Sequence, residues 1–323
     1  MTTLLRITAL LAAALSCAAC LGQPYPAKPI RMVVPFPPGG GGDIVARVVG
    51  QKLTEQWGQQ VLIDNRAGAN GNIASQIVAR AVPDGYTLYM ASAGPITINP
   101  SLYQDIAFNP TRDVVGVALA APVYYVLVAH PSMAPGRLSE LVEFAKARPG
   151  KITFASAGVG SPGHLATEML GMMADIKVLH VPYKGTGPAL TDLLGGQVNL
   201  MFSDMTATIG YIRDKRLKAL AIGSRKRDPR MPELPTVIES GLPQFVAVNW
   251  IGLLAPAGSP RAIVDRLNAE VNRIIRLPDV QERFASDGQV FGKNTPQEFD
   301  AFIKADIARW SRVIKSANIR PDS

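Results

Sequence analysis

Cysteine, histidine and metal-ligand clusters are scarce in this 323-residue chain, and each scarcity removes a class of chemistry. Both cysteines, Cys17 and Cys20, lie in the first twenty residues, and the chain holds only three histidines. A chain cleaved after Cys20 has no thiol for catalysis, for disulfides or for a thiolate metal site. The histidines are isolated and no acidic cluster has metal-ligand spacing, so we expect no metal site.

Charge is also sparse, because charged residues make up 18% of the chain and the net charge of +8 is scattered along it. No tract of five or more lysines and arginines occurs. The densest basic group, Arg225, Lys226, Arg227 and Arg230, has no aromatic residues between its members. This pattern is typical of a solvated loop, so no nucleic-acid partner is expected. A mildly basic protein suits a small anionic ligand.

A long apolar run is missing as well, since no stretch reaches the roughly 18 apolar residues that predict a membrane-spanning helix. Residues 1–22 instead have the pattern of a signal peptide, with a basic start, an apolar run over Ile7–Leu15 and a small-residue exit. This predicts export to the periplasm, with cleavage at or shortly before Gly22. As an alternative, Cys20 could become a lipid-modified first residue, although Cys17 stands where the usual lipobox has leucine.

What the chain does contain is an alternation of predicted strands and helices from Ile30 onward, which indicates an α/β fold with mostly parallel sheets. Two sections look alike, one beginning at Tyr124 and one at Ile251: each is an apolar strand, a proline-containing turn and a helix. In a two-lobed protein, each would cross to the opposite lobe. We therefore expect lobe 1 to consist of residues 23–124 and 246–323, and lobe 2 of residues 125–245.

The segment VPFPPGGGGDIVAR places four consecutive glycines between a predicted strand and a helix predicted over Asp43–Trp57. A phosphate loop needs lysine and a hydroxyl residue after the last glycine, but Asp43 and Ile44 stand there. The dinucleotide pattern G-x-G-x-x-G fails here too. Asp43 is expected to be the helix N-cap. The loop amides are expected to hold an anion or polar ligand, and they belong to Gly39, Gly40, Gly41 and Gly42.

A second Gly-rich turn, GVGSPGH, also follows a predicted strand and precedes a predicted helix. It matches G-x-G-x-x-G over Gly158–Gly163. The acid that a dinucleotide site needs about 20 residues further on is missing, because Tyr183 and Lys184 stand there. We therefore expect no dinucleotide and, since metal motifs are missing too, no cofactor.

Within this second turn, Ser161 almost completes the nucleophile elbow G-x-S-x-G, but Val159 occupies the first glycine position. His164 follows only three residues later, unlike the order of a hydrolase triad. Ser161 is therefore interpreted as an N-cap whose hydroxyl faces a cleft. His164 is either a ligand donor or a packed side chain that braces the loop. The chain is not expected to be an enzyme, and an exported hydrolase is the alternative.

The two Gly-rich turns are expected on separate lobes, each at the start of a helix. Helix N-termini carry unpaired N–H groups and partial positive charge, which suits a carboxylate without any charged side chain. Two such turns that face each other across a cleft would form a clamp that closes on its ligand.

Six segments, taken in order, resemble the periplasmic receptors of tripartite tricarboxylate transporters, the Bug-type extracytoplasmic solute receptors. They are YPAKPIRMVVPFPPGGGGDIVAR (Tyr25–Arg47), NRAGANGNIASQIVARAVPDGYTL (Asn65–Leu88), GSPGHLATEML (Gly160–Leu170), VPYKGTGPALTDLLGGQVNLMF (Val181–Phe202), LPTVIESGLP (Leu234–Pro243) and APAGSP (Ala255–Pro260). The resemblance covers nearly the whole chain after the signal peptide. It implies a type II periplasmic binding protein, in which two α/β lobes close on a small carboxylate that is bound partly through waters.

The resemblance also implies ligand-binding residues and partners. The residues are Phe36, Gly39, Gly40, Gly41, Gly42, Asp43, Ser92, Ala93, Gly158, Val159, Gly160, Ser161, His164, Tyr183, Lys184 and Asp204. Relatives often have a polar or small side chain at the position of Gly42, so the resemblance leaves the ligand open. The implied partners are a small carboxylate or related polar molecule and the large and small membrane permease subunits. The chain is expected to be a monomer, and a ligand-sensing adaptor for a membrane signalling protein is a further alternative.

Overall fold

The computed structural model describes residues 25–103, 106–284, 294–316 and 320. The predicted signal peptide, with Cys17 and Cys20, lies outside these residues. Within the described part of the chain, no helix is both long enough and apolar enough to cross a membrane.

Strands and helices alternate along the chain, as the sequence predicts. The amino-terminal elements are β1 (Ile30–Val34), α1 (Gly41–Trp57), β2 (Val61–Asn65), α2 (Asn72–Ala79), β3 (Thr87–Ser92), a π-helical turn (Gly94–Ile98), α3 (Asn99–Leu102) and β4 (Val114–Ala129). The middle elements are α4 (Leu138–Lys146), β5 (Thr153–Ser156), α5 (Pro162–Ala174), β6 (Leu179–Pro182), α6 (Thr186–Leu194), β7 (Leu200–Asp204), α7 (Met205–Arg213) and β8 (Lys218–Ile222). The carboxy-terminal elements are β9 (Val248–Pro256), α8 (Arg261–Ile274), α9 (Pro278–Phe284) and α10 (Pro296–Ser316).

The strands of the described residues form one nine-stranded sheet with the order β2-β1-β3-β9-β4-β7-β5-β6, and β8 pairs with β4. β1 runs parallel to β2 and β3, and β5 runs parallel to β6 and β7. The long central strands are antiparallel to their neighbours: β9 to β3 and β4, and β4 to β7 and β8.

Strand β4 joins two halves of this sheet. Its residues up to Tyr124 pair with β9, and those from Tyr125 onward pair with β7. We call the part with β1, β2, β3 and β9 the first half, and the part with β5 to β8 the second half. We propose that this change of partner marks the lobe boundary, at the position expected from the sequence.

Helices α1 and α2 pack on the two faces of β1, so this strand is largely apolar. In β1, Met32, Val33 and Val34 are all fully buried. In α1, Val45, Val49 and Leu53 recur every four residues and turn one buried stripe towards the sheet. This packing fixes the ends of the strands, from which the candidate site is built.

Candidate functional site

A cavity of about 40 Å³ lies between the two halves, where strands end and helices begin. That volume holds a few water molecules. The first half contributes Pro35, Phe36, Gly40, Gly41, Gly42, Asp43, Met90, Ala91, Ser92, Val123, Asn249 and Ile251. The second half contributes Tyr125, Ala157, Ser161, Pro162, Thr186 and Asp204.

The cavity is small because the halves touch each other directly. The amide of Gly41 donates to Asp204 Oδ2 at 3.3 Å, and the Tyr103 hydroxyl donates to the carbonyl of Val159 at 3.2 Å. A Cβ added to Gly41 would lie 2.6 Å from Asp204 Oδ1, closer than real Cβ atoms approach any atom. The structure therefore shows a closed arrangement that requires glycine at position 41.

The first Gly-rich turn opens α1, but Asp43 is not its N-cap as the sequence predicted. The N-cap is Gly40, whose backbone is extended and which makes no side-chain cap. Asp43 is the third residue of the helix. Its Oδ2 accepts from the amide of Gly39 at 3.1 Å and from Arg47 Nε at 2.9 Å. The prediction is wrong because the acid lies inside the helix and reaches back to the amide of Gly39, one residue before the N-cap.

The Asp43 carboxylate is held as an anion. Burial raises its pKa, but hydrogen bonds from Arg47, from Gly39 and from Asn65 Nδ2, the last at 3.0 Å, lower the pKa below its usual value. Asp43 therefore fixes the shape of the turn and leaves backbone groups to face the cavity.

Backbone amides at the start of α1 are the donors that the first half offers. By helix geometry, the amides of Gly42 and Asp43 have no intrahelical acceptor, and both residues line the cavity. A Cβ at Gly42 would meet no atom within 4 Å, so a methyl group fits at this position. These amides lie at the positive end of the α1 dipole.

The second Gly-rich turn is built differently. Ser161 is the N-cap of α5, and its hydroxyl accepts from the amide of His164 at 3.3 Å, as the sequence predicts. The amides of Gly158, Gly160 and Ser161 donate to Ser156 Oγ (3.1 Å), His164 Nδ1 (3.1 Å) and the Gly158 carbonyl (3.0 Å), respectively. The sequence predicted that the amides of this turn hold the ligand. For these three amides that prediction is wrong, because each donates to an acceptor within the turn or at its edge.

His164 has the contacts of a residue that braces the loop. Its side chain is fully buried, Nδ1 accepts from Gly160, and the ring stacks on His180 with centroids 4.0 Å apart. Burial, followed by the neighbouring His180, lowers the pKa of His164 to about 3. His164 does not line the cavity.

The remaining predicted residues divide between the cavity and its surroundings. Phe36, Ser92, Ser161 and Asp204 line the cavity together with residues 40–43. Gly39, Ala93, Gly158, Val159, Gly160, His164, Tyr183 and Lys184 do not.

Several predicted residues that do not line the cavity make contacts that support the surrounding structure. Ala93 donates its amide to Asn249 Oδ1 at 3.1 Å. The Tyr183 hydroxyl donates to Asp192 Oδ2 at 2.7 Å, and Lys184 is exposed. The Tyr183-Lys184 turn therefore lies outside the closed cavity.

Asp204 and Tyr125 face each other on paired strands in the second half. Asp204 is 4% exposed and caps α7, because Oδ1 accepts from the amide of Ala207 at 2.9 Å. Burial raises the pKa of Asp204, since little solvent is present to stabilise its charge. Burial, and then the charge of Asp204, raises the pKa of the Tyr125 hydroxyl.

Sequence reasoning missed Tyr125, Thr186 and Asn249. Asn249 had a usable signal, because it is a polar residue in an otherwise apolar predicted strand. Thr186 lies two residues after Lys184, which was predicted as a site residue, and it is the first residue of α6. Tyr125 had no such signal, since Tyr124 beside it is the same residue type and the two point to opposite faces of the strand.

Four helix N-termini meet at this cavity: those of α1, α5, α6 and α7. None of the residues that line it in the described chain is lysine or arginine. Of the two carboxylates in the lining, Asp43 is paired with Arg47 and Asp204 is buried. Oriented peptide groups therefore supply the positive potential, which suits an anionic ligand.

The alternative of a hydrolase needs a serine beside a histidine base, and the cavity does not have that pair. Ser161 contacts the backbone amide of His164 rather than its ring. A Ser156–His180 contact of 2.6 Å exists, but neither residue lines the cavity. Within the described ranges, no group of three histidine, cysteine or acidic side chains could hold a metal.

Two α/β halves that close on a cavity at their strand ends define a periplasmic binding protein. Residues 45–319 match the model of the tripartite tricarboxylate transporter family receptor. The chain belongs to this family, whose members are binding receptors, and the family and fold predicted from the sequence are confirmed.

Similar proteins cover nearly the full chain. Protein BugT from Bordetella pertussis is 38% identical over 322 residues, which are 99% of each chain. The R. palustris protein Rpa4515, solved with adipate, has a TM-score of 0.87 and 32% identity, and the match covers 92% of this chain and 99% of that one. MatC (Rpa3494) from Rhodopseudomonas palustris, solved with bound malate, has a TM-score of 0.84 and 33% identity, and the match covers 90% and 100%.

Proposed function

We propose that this protein is a periplasmic receptor that captures a small carboxylate between its two halves and delivers it to a membrane permease. The observation that carries this proposal is the convergence of four helix N-termini on an enclosed cavity whose described lining has no basic side chain. Such a site attracts an anion through backbone dipoles and N–H groups.

The amides of Gly42 and Asp43 are the donors we assign to the carboxylate or to waters bound to it. Hydroxyl groups of Ser92, Ser161 and Thr186 line the same cavity and supply further polar contacts. Asp204 also lines the cavity, and burial raises the pKa of its carboxyl group, because little solvent stabilises the charged form.

Closure is the proposed mode of capture. A cavity of about 40 Å³ is too small for a dicarboxylate, so the ligand enters when the halves separate. The contact between Gly41 and Asp204 then re-forms around the ligand. Because two neighbours were solved with adipate and malate, we propose aliphatic carboxylates of that size as the ligand class.

Thermal unfolding of the ligand-free full chain tests binding. Acetate, malate, adipate and citrate are each added, with adipamide as the neutral match for adipate. A ligand at 100 times its Kd stabilises the folded protein by about 2.7 kcal/mol. The proposal is wrong if no carboxylate raises the midpoint, or if adipamide raises it as much as adipate does.

A matched pair of variants at Gly42 tests the amide. Gly42→Pro removes the N–H at a first-turn position that tolerates proline, and it should weaken carboxylate binding by about tenfold. Gly42→Ala keeps the N–H and places its methyl group in open space. Equal affinities for the two variants, measured by titration calorimetry, would contradict the assigned donor.

Delivery and location need separate experiments. N-terminal sequencing of the chain from a periplasmic fraction should begin near residue 23. Pull-down from membranes, with and without ligand, should recover the large and small permease subunits. Recovery of a membrane signalling protein in their place would favour the adaptor function.

A further inference from the structure

A groove of about 400 Å³ lies behind the crossing strands, on the face opposite the cavity. Successive side chains in a strand point to opposite faces. In β4, Val123 and Tyr125 line the cavity, whereas Pro122 and Tyr124 line this groove. We call it the rear groove. Its volume falls within the range of about 300–1,000 Å³ that small-molecule sites occupy.

Aromatic side chains form one wall of the rear groove. Tyr124, Trp250 and Phe302 all line it, and the rings of Trp250 and Phe302 meet edge to face with centroids 5.9 Å apart. Trp250 Nε1 donates to Asp306 Oδ2 at 3.0 Å, which fixes the indole. Phe302 is 36% exposed, whereas Trp250 beneath it is 3% exposed. Phe302 therefore supplies the part of this wall that an apolar ligand can reach.

Two arginines give the rear groove its charge. Arg309 is paired with Asp306, whose Oδ1 accepts from Arg309 Nε at 2.9 Å. Asp306 also accepts from Thr97 Oγ1 at 2.7 Å, so its charge is compensated without a ligand. Arg225 makes no hydrogen bond or ion pair with the described residues. One guanidinium group thus remains for an anion.

Arg225 differs in this respect from the other arginines of its basic loop. Arg227 pairs with Glu239 at 3.0 Å, and Arg230 pairs with Asp228 at 2.6 Å. The solvated-loop interpretation from the sequence fits Arg227 but not Arg230, whose side chain is 13% exposed. Arg225 instead lines a groove whose opposite wall comes from α10.

We propose that the rear groove is a second ligand site, which takes a flat aromatic monocarboxylate with its ring against Phe302 and its carboxylate on Arg225. Guanidinium and carboxylate groups form strong, charge-assisted hydrogen bonds. An aromatic ring on the apolar wall adds hydrophobic contact and edge-to-face geometry. The groove and the cavity between the halves lie on opposite sides of the strands, and Asn249 is the one described residue that lines both.

Binding of 2-naphthoate to the full chain tests this site, with 2-naphthamide as the neutral probe. We expect saturable binding of 2-naphthoate that quenches or shifts tryptophan fluorescence, and at least about tenfold weaker binding of the amide. Arg225→Gln should weaken 2-naphthoate by at least about tenfold. Lys226→Gln, which removes the same charge next door, should change it by less than about twofold. Phe302→Ala should weaken it by about fivefold.

Each outcome decides the proposal. Both glutamine variants alter exposed side chains, so unchanged thermal midpoints are expected and binding can be compared directly. Wild-type affinity in Arg225→Gln would mean that 2-naphthoate binds elsewhere, for example in the cavity, and would overturn the proposal. If Lys226→Gln weakens 2-naphthoate binding as much as Arg225→Gln does, the effect comes from net charge alone and the proposal is wrong. If 2-naphthamide binds as tightly as 2-naphthoate, Arg225 does not bind a carboxylate and the proposal is also wrong.

Discussion

A single methyl group at Gly41 is expected to hold the two halves apart. In the closed structure, the added Cβ would lie 2.6 Å from Asp204 Oδ1 and 2.9 Å from its Cγ. Ordinary contact begins at about 3.5 Å, so the acid must retreat by roughly 0.9 Å. Asp204 cannot retreat freely, because Oδ1 also accepts from Ala207 at 2.9 Å. Movement of the second half, or rotation of the carboxylate, breaks the 3.3 Å bond from the Gly41 amide.

The size of the effect follows from that bond. A hydrogen bond to a charged group contributes about 1.5–3 kcal/mol, so closure should weaken by about 2 kcal/mol. If the closed form is the minor free state, ligand affinity falls by the same factor, about thirtyfold. The fold itself should not suffer, because alanine is about 1 kcal/mol better than glycine in a helix. Gly41→Ala therefore separates closure from stability.

Titration calorimetry with the carboxylate identified by thermal unfolding measures the affinity, and X-ray scattering measures the radius of gyration at a ligand concentration that just saturates the wild type. Gly41→Ala should bind about thirtyfold more weakly and, at that concentration, show a larger radius than the wild type, because less of it is bound and closed. Gly210→Ala is the matched control, since its Cβ lies in α7 and meets no atom within 4 Å. Wild-type affinity and radius in Gly41→Ala would refute the reasoning.

Three further predictions concern buried groups. Burial raises the pKa of Asp204 above 3.8, so its contribution to stability falls as pH rises from 3.8 through the folded pKa. Urea unfolding should show this slope in the wild type and not in Asp204→Asn, and equal slopes contradict it. Burial, then His180, lowers the pKa of His164 from 6.5 to about 3, so stability falls as pH drops from 6.5 towards 3. The loss is up to about 1.4 kcal/mol per pH unit. His164→Gln should lack that loss in the same assay, and retention of it would locate the titration elsewhere. Ser161→Ala removes the α5 N-cap and should lower the unfolding free energy by about 1 kcal/mol; an unchanged urea midpoint would show that the cap contributes little.

Local patterns predicted the elements that depend on near neighbours. The four-residue spacing of Val45, Val49 and Leu53 predicted α1, because one stripe of a helix must be apolar to pack on a sheet. Ser161 was predicted as an N-cap because its hydroxyl needs only the amide of His164, three residues later. The sequence predicted an apolar strand from Tyr124, whereas β4 begins at Val114, since its first part pairs with a strand far along the chain.

Long-range contacts decided the details of the site. Asp43 looked like an N-cap locally, but hydrogen bonds to Asn65 and to the loop hold it inside the helix. The amides of the second turn looked available, but Ser156 and His164 take two of them. No pattern along the chain records which donors a folded neighbour will occupy.

By itself, the sequence determined the α/β class, the receptor family and the two turns around which the site is built. The class and the turns follow from periodicity and glycine content, which act over a few residues, whereas the family follows from the resemblance of six segments taken in order. The tertiary structure decided that Asp204 meets Gly41, that Tyr125 and Asn249 line the cavity, and that Arg225 faces a rear groove. Those contacts join residues far apart in the chain, so only the packing of the two halves brings them within reach of one another.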